Sequence, residues 1–222
     1  QTADVTWRPG DVPVSTRFDD PYFSLEDGLA ETRHVFLSGN DLPARFADGF
    51  HIAELGFGTG LNFLTTLQAW AGEGVAGTLY FTSFEAFPMR TADMRAALAA
   101  FPELDDDAGQ LVAQWSPAGG VMRFGDMAEL RVIIGDARTT LPVWDGHAHA
   151  WFLDGFSPAK NPELWNEALM RDVADHTAPG GTCATYTAAG FVRRGLEAAG
   201  FDVSRIAGYG RKRHMTRAVL RG

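Results

Sequence analysis

From residue 51 to residue 220 the chain alternates short apolar runs with longer amphipathic ones, and this alternation limits its architecture more than any other feature. The runs 51–55, 78–85, 131–134, 148–153, 181–187, 202–206 and 214–220 have the length and residue types of strands. Between them, 61–71, 91–101, 108–115, 162–176 and 189–199 repeat their apolar residues at helical spacing. Strands that alternate with helices fold into a largely parallel sheet covered on both faces. The last two runs break the pattern. Only GYGRKR, residues 208–213, separates them, so they are expected to be antiparallel neighbours. The turn-like Gly125-Asp126 allows one further local hairpin. Residues 1–50 read as an irregular N-terminal extension, broken by Pro9, Pro13, Pro21 and Pro43, with one helix-like piece at about 25–37. The extension is expected to fold over the active site and bring Tyr22, Phe23, Arg33 and His34 near it. Residues 51–222 are expected to form the α/β domain.

A mostly parallel, Rossmann-like sheet of seven strands with an antiparallel last strand is the layout of class I methyltransferases. A plain dinucleotide domain normally ends in parallel strands. The single cysteine, Cys183, excludes an internal disulfide framework and fits a reducing cytoplasm. His147 and His149 lack an evident third ligand, so no metal is expected. No apolar run approaches the roughly 20 residues of a membrane helix. The first residues, QTADVTWRPGD, lack a signal-peptide pattern and read as a trimmed or flexible end. The net charge of −9 conceals an asymmetry. Residues 190–222 hold eight Lys/Arg against two Asp/Glu, and the other 189 residues hold 11 against 26. A basic end on an acidic body suits a polyanionic partner, although a solvated surface would look the same.

The first strand runs into HIAELGFGTGLNFL. Gly56, Gly58 and Gly60 are spaced G-x-G-x-G, and Leu61 stands where the dinucleotide fingerprint has its third glycine. A glycine loop there can wrap a ribose and an amino-acid tail. Glu54, just before the loop, is ill placed beside a pyrophosphate but suits the cationic end of S-adenosyl-L-methionine. Glu85 ends the second strand, 25 residues after Gly60, where a carboxylate can accept both ribose hydroxyls. Asp136 ends another strand and can take a hydrogen bond from an adenine amino group. The residues assigned to the cofactor are therefore Glu54, Gly56, Phe57, Gly58, Gly60, Asn62, Glu85, Asp136 and Asp154.

Asp154 begins the irregular stretch DGFSPAKNP, after the fourth strand of the parallel set. Ligands of open α/β sheets lie beyond the carboxyl ends of the strands. Asp154 is thus placed to orient an attacking amine and accept its proton. Phe156 would wall the pocket, and Pro158 and Pro162 would stiffen the loop. Lys160 and Asn161 suit catalysis, phosphate contact or loop shaping.

The segments FDDPYFS, GLAETRHVFL, ELGFGTGLNFL, SFEAFP, WFLDGFSPAKNPELW, APGGTCATYTAAGFVRRGLEAAGF and GYGRKRHM together resemble the methyltransferase domain of the MnmC family, in the same order over residues 12–220. The resemblance implies S-adenosyl-L-methionine as donor. It implies as acceptor the aminomethyl nitrogen of 5-aminomethyl-2-thiouridine at a tRNA wobble position. Asp154 and Phe156 would serve the reaction. Lys160, Arg193, Arg194, Arg211, Lys212 and Arg213 become candidate tRNA contacts, with Phe191 and Tyr209 as possible stacking partners. Many members of that family carry an FAD-dependent oxidase domain, so such a domain, fused or separate, is an expected partner. An aminopropyl transferase or another small-amine methyltransferase is the alternative enzyme on this fold. A tRNA-binding module without chemistry is the alternative outside enzymes, and the acids at three strand ends speak against it.

Overall fold

The apolar runs become strands because both faces of each are covered. In the computed structural model, which describes residues 1–24 and 27–222, the extension opens with β1 (Val5–Arg8), β2 (Val12–Ser15) and β3 (Asp20–Pro21). These form a three-stranded antiparallel sheet where the sequence suggested irregular chain. Val12 and Val14 are buried, so packing rather than alternation stabilises β2. Next comes α1 (Gly28–Thr32), capped by the Asp27 carboxylate accepting from the Ala30 amide. A π turn (Arg33–Leu37) continues it. Leu25, the first residue of the expected helix, lies outside the described residues.

The main domain follows as β4 (His51–Leu55), α2 (Leu61–Glu73), β5 (Leu79–Glu85), α3 (Thr91–Leu98), α4 (Asp105–Gln114), β6 (Gly120–Phe124), β7 (Ala128–Ile134), α5 (Ala137–Thr140), β8 (Ala148–Leu153), α6 (Glu167–Asp175), β9 (Thr177–Thr185), α7 (Gly190–Ala199), β10 (Phe201–Ala207) and β11 (His214–Leu220). Its sheet has eight strands in the order β10-β11-β9-β8-β4-β5-β7-β6. The strands from β9 to β7 are parallel, as the alternation requires. β11 inserts between β9 and β10, antiparallel to both. The eighth strand is β6, an edge strand paired with β7 through the turn at Gly125. The sequence left β6 as an optional hairpin at Gly125-Asp126, and its pairing with β7 makes it the eighth strand.

Side chains alternate between the sheet faces. Ile52, Phe81 and Phe152 pack with Phe63 and Leu64 of α2 on one face, and Ala53, Trp151 and Leu153 pack with Val173 and Leu196 on the other. Phe36 of the extension stacks on Phe152 at 5.2 Å, so the extension shares the core of the main domain. Trp70, Trp115 and Trp144 are buried, whereas Trp7 is 40% exposed.

Phe152 joins β8, β5 and the extension. Replacing it by Ala is expected to cost about 3–5 kcal/mol of stability, the range for emptying an aromatic core site. Chemical denaturation checks this.

Candidate active site

β5 and β7 lie on one side of β4, and β8 and β9 on the other. The carboxyl ends of β4 and β8 therefore flank the point where the chain changes direction across the sheet, the usual place for a ligand in this architecture. Leu55 pairs with Leu153, so Gly56 and Asp154 leave the sheet side by side. Gly56 has φ 89°, and a Cβ there would overlap the Asp154 carbonyl oxygen. Above the two loops opens a cavity of about 950 Å³. Single small-molecule sites span about 300–1,000 Å³, so this one has room for a donor and part of an acceptor.

One half of the cavity is built on the glycine loop, whose Gly56, Phe57 and Gly58 line it. The Gly56 amide donates to Phe84 O, that of Gly58 to Glu85 Oε2 and that of Gly60 to Phe57 O. With these three amides used internally, the loop is a poor phosphate cradle. The buried Glu85 carboxylate is held at 3.0 Å by the Gly58 amide and at 2.7 Å by the Phe87 amide. Burial raises its pKa, and the amides partly offset the shift. Glu85 lines the cavity, where a carboxylate suits ribose hydroxyls as donors. Asp136 lines the cavity too. Both of its oxygens, however, are taken by Arg138, whose Nη2 lies 2.5 Å from Oδ2, and the pairing holds the carboxyl below its usual range. An adenine amino group would have to share that carboxylate. Gly60, with φ 83°, shapes the turn into α2 against Leu111 and does not line the cavity.

Glu54 also stands elsewhere than expected. It faces α2 from inside β4, fully buried, and does not line the cavity. Asn62 Nδ2 donates to Glu54 Oε1 at 2.8 Å, and Ser83 Oγ donates to Oε2 at 2.7 Å. Burial pushes the Glu54 pKa far up, beyond what these two bonds offset. The same Asn62 Nδ2 donates to Asp154 Oδ2 at 2.7 Å, while Asn62 Oδ1 accepts from Thr32 Oγ1 at 3.0 Å. One amide thus links two acids. It occupies one oxygen of Asp154 and leaves the other toward the cavity that Asp154 lines. Burial raises the Asp154 pKa to about 7; Asn62 and Lys212 lower it, and Glu31 and Asp20 raise it.

The loop after Asp154 is held at successive residues. Tyr186 Oη donates to Gly155 O at 2.6 Å, Trp165 Nε1 donates to Phe156 O at 3.0 Å, and the Ser157 amide donates to Asp20 Oδ2 at 2.8 Å. Phe156 stacks on Phe18 at 4.7 Å and meets the edge of Tyr22 at 5.2 Å. Lys160 bonds Asp19 O and pairs with the carboxylates of Asp19 and Asp20. On the opposite wall Lys212 pairs with Glu31 at 2.5 Å and lies 4.5 Å over the Tyr186 ring. The loop and the last hairpin are therefore both strapped to the extension. Tyr22 and Phe23 line the cavity. Arg33 instead bonds Gln68, and His34 bonds Ala207 O.

Charge is graded across this cavity. The lining cations Arg17, Arg138, Lys160, Arg211 and Lys212 are exposed, as is one lining acid, Glu163, which pairs with Arg138; the other lining acids, Asp20, Glu31, Glu85, Asp136 and Asp154, are half-buried or buried. Of the basic residues picked from sequence, Arg193, Arg194 and Arg213 do not line the cavity, and neither does Phe191, which is 44% exposed; Tyr209 does. Among the described residues no three His, Cys, Asp or Glu converge on a metal position; His149 Nδ1 instead accepts from the His51 amide. Sequence reasoning missed Thr32, Ser83, Phe18, Asp20 and Glu31. Ser83 and Glu54 left a trace as polar residues inside apolar strands; the extension residues lie in FDDPYFS and GLAETRHVFL, segments the sequence singled out without picking these side chains.

A class I sheet, a glycine loop without free glycine amides and a buried acid at the end of the second strand define a transferase that uses an adenosyl donor. The family model described as S-adenosyl-L-methionine-dependent methyltransferase matches residues 102–221, and the chain belongs to that family. Membership decides for methyl transfer over aminopropyl transfer. The chain is 47% identical, over 99% of its length, to the tRNA 5-methylaminomethyl-2-thiouridine biosynthesis bifunctional protein MnmC of Stutzerimonas stutzeri. It is 47% identical over 96% of its length to the protein of the same name from Aeromonas hydrophila. It spans only 35% and 34% of these two relatives. The crystal structure of MnmC2 from Aquifex aeolicus shares the fold at TM-score 0.76 and 24% identity, over all of this chain and 72% of that one.

Three outcomes test this geometry. With Glu85 as the ribose acceptor, Glu85→Ala is expected to weaken S-adenosyl-L-methionine binding about tenfold or more; calorimetry reads this directly. Asp154 must be ionised to accept a proton, so kcat/KM should fall as pH drops through about 7. Asn62→Ala removes a bond that favours the ionised form and should move this acid limb to higher pH.

Proposed function

We propose that the chain methylates the primary amine of 5-aminomethyl-2-thiouridine at the tRNA wobble position, giving 5-methylaminomethyl-2-thiouridine. The observation that carries this reading is Asp154, whose side chain enters the same cavity as the glycine loop and Glu85. The names of the two relatives supply the product nucleoside, and the acceptor is that nucleoside short of one N-methyl group. The charge gradient supports it, because a nucleotide bearing an aminomethyl arm is anionic outside and cationic at its tip. Exposed cations at the mouth suit the backbone, and Asp20, Glu31 and Asp154 suit the arm.

Glu85 and the loop at Gly56–Gly58 would hold the donor, in the cavity that Asp154 also lines. When bound, S-adenosyl-L-methionine supplies an electrophilic methyl carbon. An alkylamine has a pKa near about 10 and arrives protonated. Asp154 takes that proton, by itself or through water, and passes it to solvent. The lone pair so freed would be the nucleophile for the methyl carbon that a bound donor supplies, the electron pair of the S–CH₃ bond staying on sulfur. Asn62 holds one Asp154 oxygen so that the other stays toward the amine. Phe156, braced by Phe18 and Tyr22, excludes water and fixes the approach.

A tRNA substrate places the reaction in the cytoplasm. Among the described residues no helix is long and apolar enough to cross a membrane. The relatives are named bifunctional, and an FAD-dependent oxidase, fused or separate, would supply the amine.

Asp154→Asn is expected to lower single-turnover methylation by about 10²–10⁴, the usual contribution of a positioned base, with donor affinity retained. The substrate is tested by nucleoside mass spectrometry after reaction with tRNA carrying the unmethylated amine. A wobble nucleoside heavier by one methyl group supports the reading; an unchanged one sinks it.

A further inference from the structure

Arg17 plays no part in the chemistry above. It lies between β2 and β3 and lines the cavity with its side chain exposed. Its guanidinium lies 4.5 Å over the Phe87 ring and 5.8 Å from that of Phe18. The other cavity-lining cations are engaged: Arg138 with Asp136, Lys160 with Asp19, Lys212 with Glu31, and Arg211 as well. Among the described residues Arg17 makes no ion pair, and its guanidinium carbon lies over the two rings. A guanidinium held against rings keeps N–H donors for a bidentate anion contact.

The surroundings favour an anion. Asp19 is paired with Arg8 at 3.2 Å and with Lys160, and Asp20 accepts from the Ser157 amide. Asp19 therefore already faces two cations, and one oxygen of Asp20 is held by an amide. Phe87, Phe18 and Phe156 also form a continuous array, with centroids 5.9 Å and 4.7 Å apart, leading from Arg17 to the loop of Asp154. A splayed-out nucleotide places a flat base against such rings and its phosphate beside them.

We infer that Arg17 is the contact for the phosphodiester adjoining the acceptor nucleoside, the aromatic array and this cation together forming a nucleotide subsite. The inference rests on the tRNA reading above. It is tested with the full chain and tRNA carrying unmethylated 5-aminomethyl-2-thiouridine, by measuring tRNA affinity across salt concentrations and tRNA kinetics for Arg17→Ala and Arg17→Lys. Donor affinity is measured alongside.

Losing one phosphate contact should reduce the slope of log affinity against log salt by about 0.7–0.9 in Arg17→Ala. KM for tRNA should rise roughly tenfold, more than kcat falls, the loss expected for one charged hydrogen-bonded contact. Donor affinity should be kept, and Arg17→Lys should restore the slope. An unchanged slope in Arg17→Ala, with methylation by the parent chain intact, removes Arg17 and leaves the tRNA reading standing. Loss of donor affinity in both variants would make Arg17 a packing residue and overturn the inference. Failure of the parent chain to bind or methylate this tRNA overturns both.

Discussion

The close approach of Gly56 to the carbonyl of Asp154 is the constraint on which the site depends. Two strands paired to their last residues deliver two loops into one crevice. The loops can lie that close only because one of them lacks a side chain at φ 89°. This approach sets the glycine turn beside Asp154 on one cavity. The rest of the sheet serves to fix the register of β4 against β8, and both faces of those strands are buried to that end.

Around this backbone contact the polar groups form one connected set. Thr32 orients Asn62, Asn62 joins Glu54 to Asp154, and Ser83 closes the inner end. Such a set costs little only when every member has a partner, because an unpaired polar group in a poorly screened interior is expensive. The network also ties the extension to Asp154, since Thr32 belongs to α1. A second layer of straps, Lys160 to Asp19 and Lys212 to Glu31, ties the flanking loops to the same extension.

Much of this was legible in the sequence. β4, β8 and β11 end where the apolar runs end, because length and apolar content leave a buried strand little freedom. The short connection before β11 correctly made it antiparallel. The strand-end acids stood out because a charge closing an apolar run is conspicuous. What escaped was whatever depends on partners distant in sequence. Glu54 read as a ligand contact because its position beside the glycines is visible, whereas its burial against Asn62 is set by the packing of α2. β2 escaped because Pro13 interrupts it and only tertiary burial defines it. Phe18 and Glu31 escaped because short polar turns show no period from which a facing side can be read.

The placement of β11 bears on how the molecule is assembled as it is made. β10 leaves the ribosome before the strand that must separate it from β9, so the sheet cannot grow outward in the order of synthesis. Its interior gap is filled by residues 214–220, late in this sequence. The turn that carries Lys212 onto Glu31 belongs to the same hairpin. Until that insertion is complete the cavity lacks one wall, and a nascent chain cannot yet be an enzyme.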